Sequence, residues 1–266
     1  MNPEPTNADQ RELAGRTVVV TGASGGIGST VALELARAGA AVIVHGGSDR
    51  AAADATAAGV RTRGSEAKVI IGDLTEPGAR DQLVDEAWQW RDGVHSWLNL
   101  AGADVLTGAA ADWEFDEKLR RLWEVDVQAT IQLSRSIGMR MKSRGPADGG
   151  YAIVNMGWDQ ALVGMEGDSG EMFATVKGAI MSFSLSLAKS LAPEVRVNCL
   201  APGWIKTRWG DQASDYWQQR AVGDSLLARW GTPADVAGVA RFLVSPAASF
   251  VTGQVVAVNG GLRGAV

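Results

Sequence analysis

The 266-residue chain is poor in metal-ligating and disulfide-forming residues, with one cysteine, Cys199, and two histidines, His45 and His95. A single cysteine cannot form an internal disulfide, which predicts a reducing, cytoplasmic environment. So few histidines and cysteines also argue against a dedicated zinc site. Cys199 lies in the apolar run VRVNCLAPG, distant in sequence from both histidines, so we do not expect it to act as a nucleophile.

Long apolar segments and an excess of positive charge are also missing. No apolar run approaches the ~20 residues of a membrane span, and the first residues, MNPEPTNADQRE, are polar, so we predict neither a membrane helix nor a signal peptide. The formal net charge of −5 argues against nucleic acids and anionic membranes as partners. Small molecules are therefore the expected partners.

Short β-branched runs alternate with helix-length segments along the chain. The runs are RTVVVTGA, AAVIVHGG, AKVIIGDL, VHSWLNLAG, YAIVNMG, VRVNCLAPG and QVVAVNGG. Their nearly continuous hydrophobicity is typical of strands that helices cover on both faces. We therefore predict an α/β fold, a doubly wound Rossmann domain whose seven-stranded parallel sheet is flanked by helices.

No linker of biased composition interrupts this pattern, which predicts a flexible N-terminal tail at 1–12 and one domain at 13–266. The segment 112–144 is long enough for a bent helix or two helices. The pattern loosens at 204–230, in WIKTRWGDQASDYWQQRAVGDSLLARW. An insertion after a strand of such a sheet borders the ligand crevice, so we interpret this segment as a helical lid.

A glycine-rich turn follows the first predicted strand. The sequence VVVTGASGGIG places Gly22, Gly26 and Gly28 between that strand and the mouth of a helix. Glycine there permits a tight turn and lets backbone N–H groups approach a pyrophosphate, whose charge the helix N-terminus favours. This context predicts a dinucleotide site.

The spacing Thr-Gly-x-x-x-Gly-x-Gly resembles the short-chain dehydrogenase/reductase family, and the resemblance covers about residues 13–262. GDL at 72–74, NLAG at 99–102, APGWIKT at 201–207 and the segment from RWGTPADV to VNGG are similar to family motifs in the family's order. The resemblance implies an oxidoreductase that binds a nicotinamide dinucleotide. The implied cofactor contacts are Gly22, Gly26, Ile27, Gly28, Asp73, Leu74, Asn99, Ala101, Gly102, Lys177, Pro202, Gly203, Ile205 and Thr207.

The end of the second predicted strand bears on which dinucleotide binds. A carboxylate there would bind the ribose hydroxyls of NADH and repel the 2′-phosphate of NADPH, but the run HGGSDR places Gly46 and Gly47 at that point. Ser24, Ser48 and Arg50 could hold the phosphate. Ser48 could equally be a helix N-cap and Arg50 a solvated side chain. We predict NADPH, with NADH as the alternative.

The family's proton relay of tyrosine, lysine, serine and asparagine is incomplete in this chain. The matching positions hold Phe173, Lys177, Trp158 and Asp126, and neither tyrosine of the chain is followed four residues later by lysine. Proton delivery by a side chain contributes about 10²–10⁴-fold in rate. Without the tyrosine, the chain is therefore not expected to catalyse reduction by the family's usual mechanism. Lys177 and Asp126 are the remaining catalytic candidates. We expect them to form an ion pair, with Lys177 also bonding the nicotinamide ribose as the resemblance implies.

Aromatic residues surround the expected reaction centre. We expect Trp158 and Phe173 to line its floor and the lid residues Trp204, Trp209 and Trp217 to bind substrate, because flat side chains suit a polycyclic aromatic molecule. The remaining tryptophans, Trp88, Trp90, Trp97, Trp113, Trp123 and Trp230, are expected in the core or a subunit contact. The loop residues Asp159, Glu166, Asp168 and Ser169 are candidate acids that we interpret as solvated, with Asp168 or Ser169 capping the next helix.

Three functions remain open from the sequence. The first is an NADPH-dependent ketoreductase of antibiotic biosynthesis, which reduces a polycyclic aromatic polyketide ketone with a proton from the substrate; in this the chain is similar to atypical angucyclinone ketoreductases. The second is an inactive cofactor-binding sensor or scaffold, and the third is a dehydratase that uses the same pocket. The helix FATVKGAIMSFSLSLAKSLA resembles the family's self-association helix, which implies a homodimer or homotetramer.

Overall fold

The computed structural model describes residues 11–145, 147 and 149–263, and all seven predicted strands are present. They are β1 Thr17–Thr21, β2 Ala41–Gly46, β3 Ala67–Ile71, β4 Ser96–Asn99, β5 Tyr151–Met156, β6 Val195–Pro202 and β7 Val255–Val258. Every neighbouring pair is parallel and the strand order is β3-β2-β1-β4-β5-β6-β7. This arrangement is a Rossmann-like α/β fold, as predicted.

Helices cover both faces of the sheet. They are α1 Gly26–Arg37, α2 Arg50–Thr62, α3 Pro77–Gln89, α4 Phe115–Leu122, α5 Ala129–Arg144, α6 Gly167–Leu191, α7 Arg208–Gln212, α8 Asp215–Asp224 and α9 Pro233–Val244. Val18 and Val20 of β1 pack on the side of α1, α2 and α9, whereas Val19 packs on the side of α3, α5 and α6. Burial on both faces explains why the strand sequences are apolar throughout.

Two predicted segments take the expected form. The segment 112–144 contains α4 and α5, joined by a π-helical turn at Trp123–Gln128. A π-turn inserts an extra residue into an α-helix and is frequent at functional sites. The segment 204–230 contains α7 and α8, which we call the lid. The sheet therefore presents the lid and the π-turn beside the carboxyl ends of its strands.

The structure bears on the boundary between the predicted N-terminal tail and the domain. Residues 1–10 of the predicted tail lie outside the described residues, whereas Glu12 pairs with Arg241 of α9 at 2.6 Å and thus belongs to the folded body. No helix among the described residues is long and apolar enough to cross a membrane. Cys199 is a free, buried thiol. The cytoplasmic location inferred from it stays a prediction.

The predicted cap of α6 is wrong. The helix begins at Gly167, and its N-cap is Glu166, whose side chain makes no capping hydrogen bond. Asp168 and Ser169 lie in the first turn of the helix, so neither residue can cap it. A positive φ of 84° at Gly167 fits glycine at the helix start, and the sequence prediction placed the start too late because it relied on cap propensity.

Candidate active site

Two adjoining cavities lie where the strands end. The larger, about 860 Å³, runs past the glycine-rich turn and is called here the glycine cleft. The smaller, about 400 Å³, is lined by Trp158, Trp204, Trp209, Trp217 and Trp230 and is called here the tryptophan cavity. The two share a wall that consists of Ile27, Leu106, Met156, Phe173, Lys177, Thr207 and Trp209. Molecules bound in the two cavities would therefore contact some of the same side chains.

The glycine-rich turn is shaped by close backbone approach. A Cβ atom on Gly28 would lie 2.2 Å from the carbonyl oxygen of Gly22, and one on Gly22 would lie 2.7 Å from Cα of Ala101. Gly22 and Gly26 also have positive φ angles of 68° and 55°. At Gly25 and Gly26 a Cβ would meet open space, so the backbone there borders the cleft without a side chain in between. This cradle at the start of α1 fits a dinucleotide pyrophosphate.

Most of the residues predicted to bind the cofactor line this cradle and its continuation. Those in the glycine cleft are Gly22, Ser24, Gly26, Ile27, Gly28, Ser48, Asp73, Leu74, Ala101, Gly102, Lys177 and Thr207. Pro202, Gly203 and Ile205 lie in the tryptophan cavity instead, with Thr207 in both. Phe173, Trp158, Trp204, Trp209 and Trp217 all line the tryptophan cavity, as their predicted role requires.

Arg50 is not brought to the site. It is exposed at the first position of α2 and does not line the glycine cleft. The N-cap of α2 is Asp49, whose Oδ1 accepts a hydrogen bond from the N–H of Ala52 at 2.9 Å, so Ser48 is not the cap. Ser48 lines the glycine cleft, whereas the exposed side chain of Arg50 does not.

Asn99 also differs from its predicted role. Its Oδ1 accepts a hydrogen bond from Nε1 of Trp97, and its Nδ2 donates to Ser134 and Asn155. The residue is 3% exposed and lines neither cavity. Asn155 in turn donates to Ser184 of α6 at 2.9 Å. This buried polar network joins β4 and β5 to α5 and α6 beneath the site.

An ion pair lies where the two cavities meet. Nζ of Lys177 is 2.6 Å from Oδ2 of Asp126, and both side chains are almost completely buried. Oδ1 of Asp126 accepts a hydrogen bond from the N–H of Ala103 at 2.8 Å, which fixes the carboxylate from a second side. The π-turn places Asp126 here. This contact agrees with the predicted pair, and it leaves the ammonium group of Lys177 beside the glycine cleft.

Phe173 of the shared wall and Trp158 of the tryptophan cavity form an aromatic floor. Phe173 lies one helical turn before Lys177 on α6, and its ring packs edge-on against Trp158, with centroids 6.4 Å apart at 67°. Neither side chain can donate a proton from oxygen. The two tyrosines of the chain, Tyr151 and Tyr216, line neither cavity.

The lid tryptophans form one cluster with Trp230. Trp204 stacks on Trp209 at 6.1 Å and 19°, and its centroid is 5.5 Å from that of Trp217 and 6.1 Å from that of Trp230. Trp230, predicted to lie in the core or a subunit contact, is buried as expected for the core and also lines the tryptophan cavity. A parallel bridge between Ile205 and Gly231 returns the chain to the start of the lid.

The other tryptophans of that predicted group take different positions. Trp97 is fully buried in the core, as predicted. Trp113 lines the glycine cleft, and Trp123 is 41% exposed. Trp88 and Trp90 pack at the edge of the core, and Arg144 and Arg91 respectively lie over their rings.

Several residues that line the glycine cleft were not predicted from the sequence. Arg121 of α4, which lies 3.5 Å from Asp73, and Arg208, which directly follows Thr207, both line the glycine cleft with Asp104 and Trp113. Arg208 could have been found by its position next to the Pro-Gly-x-x-x-Thr run. Arg121, Asp104 and Trp113 carry no such local signal, because only the tertiary fold brings α4 and the loop before it to the cleft.

Burial perturbs three titratable groups near the site. It raises the pKa of the Asp159 carboxyl to about 6 and that of the Cys199 thiol to about 12, so Cys199 is an inert thiol at neutral pH. Burial also lowers the pKa of His45 to about 4, and its neutral ring bonds the carbonyl of Gly72 at 3.0 Å. No group of three or more histidine, cysteine or acidic residues suited to a metal ion occurs within 11–145, 147 and 149–263.

Comparison with known proteins agrees with this geometry. Residues 22–263 match the model of a family described as enoyl-(acyl carrier protein) reductase. The short-chain reductase protein NovJ of Streptomyces niveus is 33% identical over 91% of this chain and 92% of its own. The structure of the promiscuous reductase LugOII, which catalyses keto-reduction at C1 during lugdunomycin biosynthesis, has a TM-score of 0.81 at 27% identity, over 94% of this chain and 98% of its own.

A second solved structure carries a cofactor. It is the NADP-bound 3-oxoacyl-(acyl-carrier-protein) reductase of Agrobacterium tumefaciens, with a TM-score of 0.83 at 29% identity, over 96% of this chain and 97% of its own. These matches and the glycine cradle together define the class. The chain belongs to the short-chain dehydrogenase/reductase family and is an NAD(P)H-dependent oxidoreductase.

Proposed function

We propose that this enzyme is an NADPH-dependent ketoreductase that reduces a ketone on a polycyclic aromatic, polyketide-like substrate in antibiotic biosynthesis. The observation that carries the proposal is the pairing of Phe173 with Trp158 beside Lys177, in a cavity whose other walls include four indole rings. The bound cofactor supplies hydride. The chain supplies orientation, an apolar floor and exclusion of water, none of which needs a hydroxyl group.

The proton must then come from outside the aromatic floor. A phenol or enol hydroxyl that already hydrogen-bonds the substrate ketone can neutralise the oxygen as it gains charge. Asp126 is unsuited to this role, because its carboxylate already pairs with the ammonium group of Lys177 at 2.6 Å and accepts a hydrogen bond from the N–H of Ala103. The role of Lys177 is to bind the nicotinamide ribose and to pair with Asp126. The resemblance to atypical ketoreductases, such as the simocyclinone ketoreductase, supports the same substrate class.

The preference for NADPH has a separate basis. The end of β2 carries Gly46 and Gly47, so no carboxylate repels a 2′-phosphate there, and Ser24 and Ser48 line this part of the cleft. We assign the phosphate to these two hydroxyl groups and not to Arg50. Ser48→Ala should lower the affinity for NADPH and leave that for NADH unchanged, whereas Arg50→Ala should change neither. Equal losses for both cofactors would contradict this assignment.

The substrate class is tested with matched ketones. The purified protein is titrated with NADPH by tryptophan fluorescence, and oxidation of NADPH is then followed with polycyclic ketones that carry a phenol beside the carbonyl. The control ketones have that phenol methylated. We expect turnover of the phenols and at least about a tenfold loss with the ethers, within the range of general acid catalysis. Equal rates for both sets would exclude substrate-derived protons.

A double substitution tests the same idea from the protein side. Phe173→Tyr with Trp158→Ser restores both hydroxyl groups, yet we expect no gain in rate with the phenolic ketones, because the substrate already supplies the proton. A large gain would indicate a disabled enzyme. NADPH binding without oxidation across the panel would indicate a sensor or scaffold, and loss of water from a hydroxylated product would indicate a dehydratase.

The apolar stripe of α6 supports self-association as a homodimer or homotetramer, which light scattering would measure.

A further inference from the structure

Arg220 of α8 connects the lid to the turn that precedes α6. Its Nη1 donates to Oε1 of Glu166 at 2.5 Å, and its Nη2 donates to Oε2 of the same carboxylate at 3.0 Å. Nη1 also donates to the hydroxyl of Tyr216, one helical turn earlier, at 3.1 Å. The side chain is 19% exposed, although Glu166 is largely open to solvent. The guanidinium therefore makes a bidentate contact that connects α8 with the turn before α6.

The same arginine reaches two rings of the tryptophan cavity. Its guanidinium carbon lies 5.4 Å from the centre of the Trp217 ring, within the range of a cation–π contact. Its Nε is 3.5 Å from Oδ2 of Asp224, and that oxygen accepts a hydrogen bond from Nε1 of Trp204 at 3.1 Å. Trp204 and Trp217 both line the cavity. Arg220 thus contacts the Trp217 wall directly and the Trp204 wall through Asp224.

Glu166 belongs to the turn before α6, which also contributes residues to the same cavity. Its neighbour Met165 and the nearby Ser169 line the cavity wall. The turn is flanked by Gly164 and Gly167, each with a φ of 84°. Neither glycine contributes a side chain that could hold the turn in place, and a Cβ at either position would meet open space. The contact between Glu166 and Arg220 consequently connects the turn that carries Met165 to the helix that carries Trp217.

The relative weights of these contacts can be ranked. An ion pair with an exposed partner is weak, so the charge of Glu166 alone contributes little to the position of Arg220. Arg220 makes several contacts at once, and a cation–π contact that is partly shielded from water adds to them. Loss of the arginine should therefore have a larger effect than loss of the glutamate charge.

We propose that Arg220 is a positioning residue that sets the width of the tryptophan cavity and thereby its preference for multi-ring over single-ring ketones. The inference rests on the proposed ketoreductase function. Arg220 lines neither cavity, so it acts through Trp204 and Trp217 and contacts no substrate. A multi-ring molecule needs both indole walls, whereas a single ring that occupies the floor near Phe173 does not reach the lid.

The test compares Arg220→Met, which keeps the apolar part of the side chain, with Glu166→Gln and with Arg140→Met as a matched control. Arg140 forms an ion pair with Asp85 between α5 and α3 and lines neither cavity. For Arg220→Met we expect KM for a polycyclic phenolic ketone to rise about tenfold, which corresponds to ~1.4 kcal/mol, with kcat nearly unchanged. For Glu166→Gln the rise should be about threefold. Arg140→Met should change neither constant.

Three further measurements distinguish a positioning role of Arg220 from a general loss of structure. In Arg220→Met, KM for ortho-hydroxyacetophenone and the Kd for NADPH should both stay at the wild-type values, and a parallel rise would contradict the proposal. Binding of a dihydroxyanthraquinone, followed by tryptophan quenching, should weaken about tenfold even without turnover. If no ketone is reduced but this binding weakens, the proposed function fails and the role of Arg220 stands. If the polycyclic ketone is reduced with unchanged KM, the role of Arg220 fails alone.

Discussion

Asp126 and Lys177 form a buried ion pair at 2.6 Å, at the junction of the glycine cleft and the tryptophan cavity. Removal of one partner from such a pair leaves an uncompensated charge, which costs about 3–5 kcal/mol. Asp126→Ala should therefore lower the free energy of unfolding by about 3 kcal/mol and weaken NADPH binding, because Lys177 loses the partner that orients it. Urea unfolding and fluorescence titration measure the two effects.

Asp126→Asn serves as the control for this pair. The amide oxygen can still accept the hydrogen bond from the N–H of Ala103, but the negative charge is gone. We expect an intermediate loss of about 1–2 kcal/mol. An asparagine variant as stable as the wild type would show that charge pairing with Lys177 does not stabilise the fold.

The glycine cradle gives a second prediction. A Cβ at residue 28 would lie 2.2 Å from a backbone oxygen of Gly22, and backbone atoms can yield only by shifting the whole turn. Gly28→Ala should lower the free energy of unfolding by about 1–3 kcal/mol and reduce NADPH affinity by at least about tenfold. Gly238→Ala is the matched control, because that glycine is exposed in the middle of α9 with open space around it. It should raise stability by about 0.5–1 kcal/mol and leave binding unchanged.

The sheet and the cradle could be predicted because each depends on local sequence. A strand covered on both faces must be apolar throughout, as β1 and β2 are, and a backbone that touches another backbone requires glycine, as at Gly22 and Gly28. These constraints are visible in one segment without knowledge of its neighbours. The lid was visible for the opposite reason, as a break in the alternating pattern.

Residues whose positions depend on distant partners were harder to predict. Arg50 was considered because it closely follows the end of β2, but its side chain is exposed at the first position of α2 and does not line the glycine cleft. Trp230 is buried as predicted, but its place in the wall of the tryptophan cavity depends on the bridge between Ile205 and Gly231, which leaves no sequence signal. Asn99 was assigned from the motif, which does not reveal where an amide points. Tertiary contacts of this kind cannot be inferred from a single sequence.

Asn99 provides the third prediction, which separates structural from cofactor-binding roles. Asn99→Ala removes the acceptor for Nε1 of Trp97 and the donor to Ser134 and Asn155, all of which are buried. Unsatisfied buried polar groups cost about 1–3 kcal/mol each, so we expect stability to fall by at least about 2 kcal/mol. The Kd for NADPH of the folded variant should stay within about twofold, since Asn99 lines neither cavity. A large loss of affinity without a loss of stability would reinstate the cofactor role.

The fourth prediction concerns Asp159, a residue that directly follows Trp158 and is 9% exposed. Its Oδ2 accepts a hydrogen bond from Nδ2 of Asn259 at 3.1 Å, and its Oδ1 has no partner among the described residues. Burial raises its pKa from 3.8 to about 6, an effect that the hydrogen bond from Asn259 opposes. The folded state therefore binds more protons than the unfolded state between these two values. Stability consequently falls as the pH rises through this window, and the full cost is present above about pH 6.

Asp159→Asn removes this cost, because the amide oxygen can still accept from Asn259 and no charge is buried. The variant should exceed the wild type in stability by about 2–3 kcal/mol at pH 7, and the difference should vanish near pH 4. His45 and His95, whose pKa values burial lowers to about 4, make stability rise with pH over much of the same range. Both histidines are present in the two proteins, so urea unfolding at several pH values should be compared as a difference between them. A difference that does not change with pH would mean that the Asp159 carboxyl titrates normally in the folded protein.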